Sequence, residues 1–233
     1  MNLTAPSTAA ILDWLAATGA ASAPELASVS GSSHRAAAAR ISALEQAGLV
    51  RSAALLRGEP ALHVLTRRGL RAAGRPELEP LAISAASFGH LLAVARVAVA
   101  LRAAGEQVGD ERELRVLERA EGRAVASAAV GIARDGATAW HRPDLVCWRS
   151  GLPVAVEVEL TVKGPERLRA IVRGWARSRL VEGVVYYARP AAARAVATAV
   201  RREGAAAAVS VLGLEHAGEL PAFASMSSFP SAT

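Results

Sequence analysis

Apolar positions in the first 46 residues recur with the spacing of helices. An apolar stripe predicts a first helix over 9–17. Ser22 and Glu25, three residues apart, form the pattern of a capping box and predict the start of a second, short helix. Ser33 is the expected N-cap of a third helix that runs to Gln46. The buried stripe expected on this third helix consists of Ala37, Ile41 and Leu44.

Two extended apolar runs follow, over 49–56 and 61–65, and the turn Arg57-Gly58-Glu59-Pro60 separates them. This pattern predicts a hairpin. A further short helix is expected over 67–73. Because the order of helix, helix-turn-helix, hairpin and helix is that of a winged helix, we expect a winged-helix DNA-binding domain over residues 1–75.

The second part of the chain changes its pattern. The stretch 76–83 contains two prolines and no periodicity, which predicts a linker, and a long, almost wholly apolar helix follows over 84–104. In 105–139 we expect one strand or short helix near 113–117 and otherwise a loop. The elements predicted after this are strands over 145–148 and 154–160, a helix over 166–180, a strand over 184–188, a helix over 190–202 and a strand over 208–214. Such alternation predicts an α/β domain over 84–214 around a central sheet, with a peripheral or disordered tail over 215–233.

Composition limits the classes of protein. The chain has 233 residues and a net charge of +6, and of its 27 basic residues Lys163 is the single lysine. One cysteine, Cys147, excludes an internal disulfide framework and a Cys-rich zinc site, and fits a reducing cytoplasm. The start of the chain lacks the pattern of a secretory signal, and the apolar run over 91–101 is shorter than the ~20 residues that cross a bilayer, so no membrane partner is expected. The positive charge favours a polyanionic partner, with codon-driven surface arginine as the alternative.

Acidic side chains gather at the start of one predicted strand and on one face of the next. Asp144 opens the first strand, and Glu157 and Glu159 lie two positions apart on the second, as do Thr161 and Lys163 if the strand continues. Buried carboxylates need a compensating cation, and Mg²⁺ or Mn²⁺ bound by Asp144, Glu157 and Glu159 would supply it. Lys163 would then orient a water or a phosphate. The alternative is a solvated edge strand whose acids pair with arginines.

The motifs Pro143-Asp144 and Glu157-Val158-Glu159 on adjacent strands, with a helix before and a helix after, resemble the PD-(D/E)xK nuclease superfamily. The resemblance implies a restriction-endonuclease-like α/β core, Asp144 and Glu157 as metal ligands, and metal-dependent nicking or cleavage of DNA. The sequence departs from the superfamily at Glu159, where a lysine is usual, and Lys163 is the candidate replacement. The departure leaves two functions open, a DNA endonuclease and a non-enzymatic DNA-binding regulator on an inactive nuclease scaffold.

The whole chain is also similar to the replication-relaxation family of plasmid and mobile-element proteins. The matching strings are Leu65-Thr66-Arg67-Arg68-Gly69, Glu111-Arg112-Glu113-Leu114-Arg115, His141-Arg142-Pro143-Asp144-Leu145 and Glu157-Val158-Glu159-Leu160-Thr161. This similarity implies a winged helix joined to a nuclease-like domain, with double-stranded DNA as the partner. A homodimer and contacts to other replication or conjugation proteins stay open.

If the first domain is a winged helix, its third helix enters the major groove. The residues then expected to contact DNA are Ser33, His34, Arg35 and Arg40 on that helix, and Arg51 and Arg57 beside the hairpin. The net charge of residues 1–80 is modest, 8 arginines against 6 acids, and protein–protein contact is the alternative use of this domain. A second basic stripe, Arg169, Arg173 and Arg177, recurs every four residues on one helix and either grips phosphates or forms a solvated face.

Five further residues have two possible roles. A structural role is favoured for His141 over a contact to a scissile phosphate, and a surface charge run for Glu113 over a third acid of the site. The core is favoured over base stacking for Trp140, Trp148 and Trp175.

Overall fold

A computed structural model describes residues 6–223 and has a mixed α/β architecture, which confirms the predicted class at that level. We call residues 6–75 the N-terminal unit; residues 1–5 of the predicted domain lie outside the described residues. Its elements are α1 (Pro6–Thr18), β1 (Ala20–Ser22), α2 (Ala23–Val29), α3 (His34–Gln46), β2 (Val50–Ala53), β3 (Leu62–Leu65) and α4 (Arg67–Ala72).

Side-chain caps begin the helices of this unit where the sequence predicts. The backbone N–H of Ser22 donates to Glu25 Oε2 at 2.6 Å, as in a capping box. Ser33 Oγ accepts from the N–H of Ala36 at 3.2 Å at the start of α3. The predicted stripe of α3 is confirmed, because its buried residues are Ala37, Ile41 and Leu44.

Three strands form an antiparallel sheet in the order β1-β3-β2. The hairpin is confirmed, with Val50 opposite Leu65 in its register. The strand β1 was not predicted, since Ala-Ala-Ser has neither β-branched nor aromatic residues. Pairing with β3 places its three residues in the core, with Ala20 opposite Val64.

The C-terminal unit, residues 84–214, contains five strands that form one sheet and a separate hairpin. Its elements are α5 (Ala85–Ala103), β4 (Gln107–Asp110), α6 (Glu111–Glu121), β5 (Ala128–Ile132), β6 (Thr138–His141), β7 (Leu145–Trp148), β8 (Val154–Glu159), α7 (Pro165–Arg177), β9 (Gly183–Ala188), α8 (Pro190–Glu203) and β10 (Val209–Gly213). The loop expected over much of 105–139 is wrong, because this stretch forms β4, α6, β5 and β6. The other predicted elements are present, with ends shifted by a few residues.

The sheet has the order β10-β9-β8-β7-β4, in which β4, β7 and β8 are antiparallel and β8, β9 and β10 are parallel. All six residues of β8 are buried, so helices cover both faces of this strand. Val156 and Val158 pack in the cluster that includes residues of α5, whereas Ala155 packs with Trp175 of α7. By the alternation of the strand, Glu157 points to the side of α7.

The predicted linker, 76–83, has no helix or strand, yet it is anchored between the two units. Leu78 is completely buried in an apolar cluster that contains Leu15 of α1 and Leu101 of α5. The guanidinium of Arg112 also donates to the carbonyl oxygen of Glu79 at 3.0 Å. The two units therefore share one core across this segment.

By length and composition, α5 is one helix among the described residues that would be able to cross a membrane, and buried core helices meet the same criteria. The apolar part of this helix is therefore longer than the run over 91–101 from which no membrane partner was expected. Its buried residues, which pack within the protein, are Phe88, Leu92, Val94, Ala95, Val97, Ala98 and Leu101.

The first part of the predicted tail packs against the sheet. A short 3-10 turn, Leu214–His216, follows β10, and the phenol of Tyr187 then donates to the carbonyl oxygen of Glu219 at 2.5 Å. Phe223 packs against the core beside Gly183. Residues 224–233 of the tail lie outside the described residues.

Candidate functional site

A cleft of about 700 Å³ contains all four residues of the predicted site, Asp144, Glu157, Glu159 and Lys163. It lies where β8 ends and β7 begins, and the first turns of α5 and α7 form part of its wall. Leu56, from the hairpin loop of the N-terminal unit, also lines it. The antiparallel pairing of β7 with β8 brings Asp144 beside the carboxylates, as the spacing of the motifs predicts.

Asp144 is held by two donors. Its Oδ2 accepts from the backbone N–H of Val158 at 2.8 Å, and its Oδ1 accepts from His90 Nε2 at 3.0 Å. The hydrogen bond to Asp144 raises the pKa of His90 above its ordinary value, although burial opposes it. His90 comes from α5, and sequence reasoning missed it because a single histidine on an apolar helix carries no motif.

Glu157 is almost fully buried, with 3% of its side chain exposed. Its Oε1 accepts from His141 Nε2 at 2.6 Å and from the indole Nε1 of Trp175 at 3.1 Å. Burial lowers the pKa of His141, but the attraction of Glu157 and the hydrogen bond to it outweigh burial and raise this pKa overall. His141 is therefore the hydrogen-bond partner of a buried acid, and it also lines the cleft.

Lys163 forms an ion pair with Glu159. It does not reach this position by continuing the strand, which was the condition stated for it. The strand ends at Glu159, so Thr161 and Lys163 do not continue its alternation. The loop after β8 instead returns the ammonium group to the carboxylates. Burial lowers the pKa of Lys163, and the combined attraction of the nearby acids raises it above the ordinary value.

Tyr186 lies beside Glu157 on the neighbouring strand, since the two residues are opposite each other in the register of β8 and β9. Its phenol oxygen is buried and has no hydrogen-bond partner within residues 6–223. Burial and the nearby acids raise the pKa of Tyr186 well above its ordinary value, so the phenol stays neutral.

The acids of the cleft are arranged in pairs with basic groups of the protein. Within residues 6–223 no group of three or more His, Cys, Asp or Glu side chains is placed to hold a metal ion. Each acid instead holds a basic partner of the protein, in the pairs Asp144–His90, Glu157–His141 and Glu159–Lys163. In this arrangement two imidazoles and one ammonium group lie against the three carboxylates.

Two further acids of α6 have different roles. Glu113 pairs with Arg75 at 2.6 Å and lies outside the cleft. Glu118, which sequence reasoning missed, is buried. Its carboxylate accepts hydrogen bonds from Arg142 Nε at 2.7 Å and from Ser127 Oγ at 2.5 Å. Its position four residues after the buried Leu114 was the available signal, but α6 itself was only partly predicted.

The residues proposed to contact DNA in the N-terminal unit differ in their freedom. Ser33, His34 and Arg35 are exposed at the start of α3, although Ser33 also caps the helix. One guanidinium nitrogen of Arg40 is buried, and Arg51 donates to the carbonyl oxygen of Leu81 at 2.5 Å. Arg57 is exposed in the hairpin loop. The start of α3 is therefore the most accessible part of this set.

The arginine stripe of α7 is partly neutralised by α8. Arg169 Nε lies 2.6 Å from Glu203 Oε1, and Arg173 Nε lies 2.8 Å from Glu203 Oε2. The hydrogen bond from Arg173 has the largest effect on the pKa of Glu203 and that from Arg169 the next largest. Together they lower this pKa to about 2. Arg177 has no ion-pair partner among the described residues. Two of the three proposed phosphate contacts are thus engaged within the protein.

The tryptophans separate into two environments. Trp175 is completely buried, as expected, and Trp148 is half-buried. The core position expected for Trp140 is wrong, because 42% of this residue is exposed on β6 at the edge of the cleft.

No model of a known protein family, no curated protein and no solved structure matches this chain.

Proposed function

We propose that the protein binds double-stranded DNA through its N-terminal unit, which has the element order of a winged helix. The observation that carries this proposal is the exposed start of α3 beside the hairpin β2–β3. In a winged helix the residues at this end of the third helix reach the base edges of the major groove. Ser33, His34 and Arg35 occupy that end, and Arg57 lies in the adjacent hairpin loop.

The order of elements in the C-terminal unit supports a PD-(D/E)xK-like scaffold. In chain order the unit contains the helix α5, the antiparallel strands β4, β7 and β8, the helix α7 and the parallel strand β9, with α6 and the hairpin β5–β6 inserted between β4 and β7. Asp144 precedes the second of these three strands, and Glu157 lies on the third. We propose that this unit serves DNA binding as a non-enzymatic scaffold, since its three acids already hold basic partners.

A gel-shift titration with duplex DNA at two salt concentrations tests DNA binding. Arg35→Ala is expected to raise Kd about tenfold at both salt concentrations, because an arginine contact to a base edge is worth about 1–3 kcal/mol. Arg71→Ala removes the same charge from an exposed position of α4 and is the matched control. Equal affinity of the wild type and Arg35→Ala would exclude α3 as the reading helix.

A second candidate is metal-dependent nicking, which one observation favours. Asp144, Glu157, Glu159 and Lys163 converge in one cleft from separate parts of the chain. Incubation of supercoiled DNA with the protein and Mg²⁺ or Mn²⁺, beside Glu157→Gln, tests it. Nicking by the wild type that Glu157→Gln abolishes would establish the endonuclease and overturn the non-enzymatic scaffold. Absence of nicking in both proteins would exclude this candidate.

A further inference from the structure

The carboxylate cleft continues into a second cleft, and the two share Trp140 and Arg142. The second cleft has a volume of about 620 Å³ and lies along the end of α6. Its basic residues are Arg115, Arg119, Arg123 and Arg142. The first cleft contributes Lys163, Arg167 and Arg189. We call the two clefts together the basic groove.

The acids that line the basic groove have partners within the protein, but several of its cations do not. Glu118 holds Arg142, and Glu111 holds Arg115. The three acids of the carboxylate cluster hold His90, His141 and Lys163. Among residues 6–223, no acid lies within 4.0 Å of the guanidinium of Arg119, Arg167 or Arg189. All three residues are exposed. Positive charge therefore remains uncompensated at both ends of the basic groove.

Trp140 lies at the junction of the two clefts, between the arginines of α6 and those at the starts of α7 and α8. Its neighbours along β6 alternate in exposure, and Trp140 is on the exposed side with Thr138. An indole is a large aromatic ring, and 42% of this residue is exposed. Arginines line the clefts on both sides of this indole. The combination suits a ligand that is both aromatic and anionic.

We propose that the basic groove binds single-stranded DNA, with one unpaired base stacked on Trp140 and the flanking phosphates bound by Arg119 on one side and by Arg167 and Arg189 on the other. Single strands are held in this way, by a basic track for the backbone and an aromatic platform for a base. A base inside a duplex is already stacked on both of its faces, so Trp140 selects a base that has left the helix. The site is separate from α3, which is proposed to read the duplex.

Fluorescence anisotropy with a labelled oligothymidylate of about 15 nucleotides tests the proposal, since this strand forms no duplex and its length covers a site of this kind. Trp140→Ala is expected to raise Kd about tenfold, the loss that corresponds to one stacked base, whereas Trp140→Phe keeps a ring and stays within about threefold. Ile132→Ala is the matched control, because Ile132 is 80% exposed on the adjoining strand but lines neither cleft. It is expected to leave Kd unchanged.

The phosphate contacts are tested by their salt dependence. Arg189→Ala is expected to lower the slope of log Kd against log salt by about 0.7, the value for one contact to a single strand. Arg202→Ala removes the same charge from the opposite end of α8 and is expected to leave the slope unchanged.

Three outcomes would overturn the proposal. The first is that Trp140→Ala binds the oligothymidylate with wild-type affinity, and the second is that the protein binds oligouridylate more tightly than oligothymidylate. The third is measured with Arg35→Ala, in which duplex reading is weakened. In that variant, duplex DNA would displace the labelled oligothymidylate as readily as the unlabelled strand does. The two binding proposals fail separately. If Arg35→Ala keeps full duplex affinity while Trp140→Ala loses the single strand, the duplex-reading function fails and the basic groove stands.

Discussion

His141 Nε2 lies 2.6 Å from Glu157 Oε1 and supplies, together with the indole of Trp175, the hydrogen bonds of that carboxylate oxygen. The imidazole also contacts Trp175 edge-on, with 5.9 Å between the ring centroids. The histidine that precedes the Pro-Asp motif by two positions is thus the partner of the acid in the second motif. This pairing joins the hairpin β5–β6 to the central strand β8.

Removal of this imidazole is expected to destabilise the protein. His141→Ala leaves Glu157 buried with Trp175 as its remaining donor, and loss of one partner of a buried pair costs about 3 kcal/mol. Urea unfolding at pH 7 measures the change in the free energy of unfolding. His90→Ala is the control, because 39% of its side chain is exposed and a solvated pair contributes about 1 kcal/mol or less. Equal losses in the two variants would show that burial of Glu157 does not govern the pairing.

Two helical glycines are expected to respond in opposite directions to alanine. A Cβ at Gly174 of α7 would lie 2.6 Å from the carbonyl oxygen of Ala129, whereas the nearest atom to a Cβ at Gly89 of α5 is a leucine methyl 3.8 Å away. Gly89→Ala should therefore raise the free energy of unfolding by about 0.5–1 kcal/mol, the helix-propensity gain. Gly174→Ala should lower it, because β5 approaches α7 too closely for a methyl group. Thermal unfolding of both variants checks the signs, and stabilisation by Gly174→Ala would contradict the close packing.

The contribution of Glu203 to stability is expected to depend on pH in the acidic range. The pKa of this carboxyl is about 2 in the folded protein and about 4.5 in its ordinary state, so the folded state favours the ionised form. Its stabilisation is fully present above pH 4.5 and is lost as the pH falls towards 2. The difference in unfolding free energy between the wild type and Glu203→Gln should accordingly be constant near neutrality and shrink below pH 4.5.

Glu166→Gln is the control for this measurement. Glu166 lies in the first turn of α7 and has no ion pair among the described residues, so its variant should show no such change with pH. A wild-type advantage over Glu203→Gln that persists undiminished at pH 2 would contradict the role assigned to Arg173 and Arg169.

The shared core predicts that the two units unfold together. Leu78 is completely buried in the same cluster as Leu15 and Leu101, so Leu78→Ala is expected to lower the free energy of unfolding by about 2–5 kcal/mol. Far-ultraviolet circular dichroism and tryptophan fluorescence should follow the same single transition in the wild type. Val162→Ala, at a residue with 57% exposure, is the control and should have little effect. Two separate wild-type transitions would show that the segment 76–83 does not couple the units.

The elements that the sequence predicted correctly are those with local signals. The caps at Ser22 and Ser33 are made within a few residues of chain, and the stripe of α3 repeats with the period of one helix. The strand β8 and the proximity of Asp144 to Glu157 follow similarly, because alternation and a short connection determine which face and which neighbour a strand has. These features need no knowledge of distant residues.

The missed features depend on residues far apart in the chain. The strand β1 exists because β3 pairs with it, and Trp140 is exposed because the hairpin β5–β6 packs against α7 instead of joining the main sheet. His90 and Glu118 became site residues only when α5 and α6 brought them to Asp144 and Arg142.

By itself the sequence determined where the acids of the cleft lie on their strands and that buried acids at such positions require compensating charge. Only the tertiary structure decided which basic groups lie against these acids, namely His90, His141 and Lys163. The physical reason is that the alternation of side chains along a strand is a property of the local backbone. The partner of a buried charge, in contrast, is whichever cation the packing of other elements places within a few ångströms.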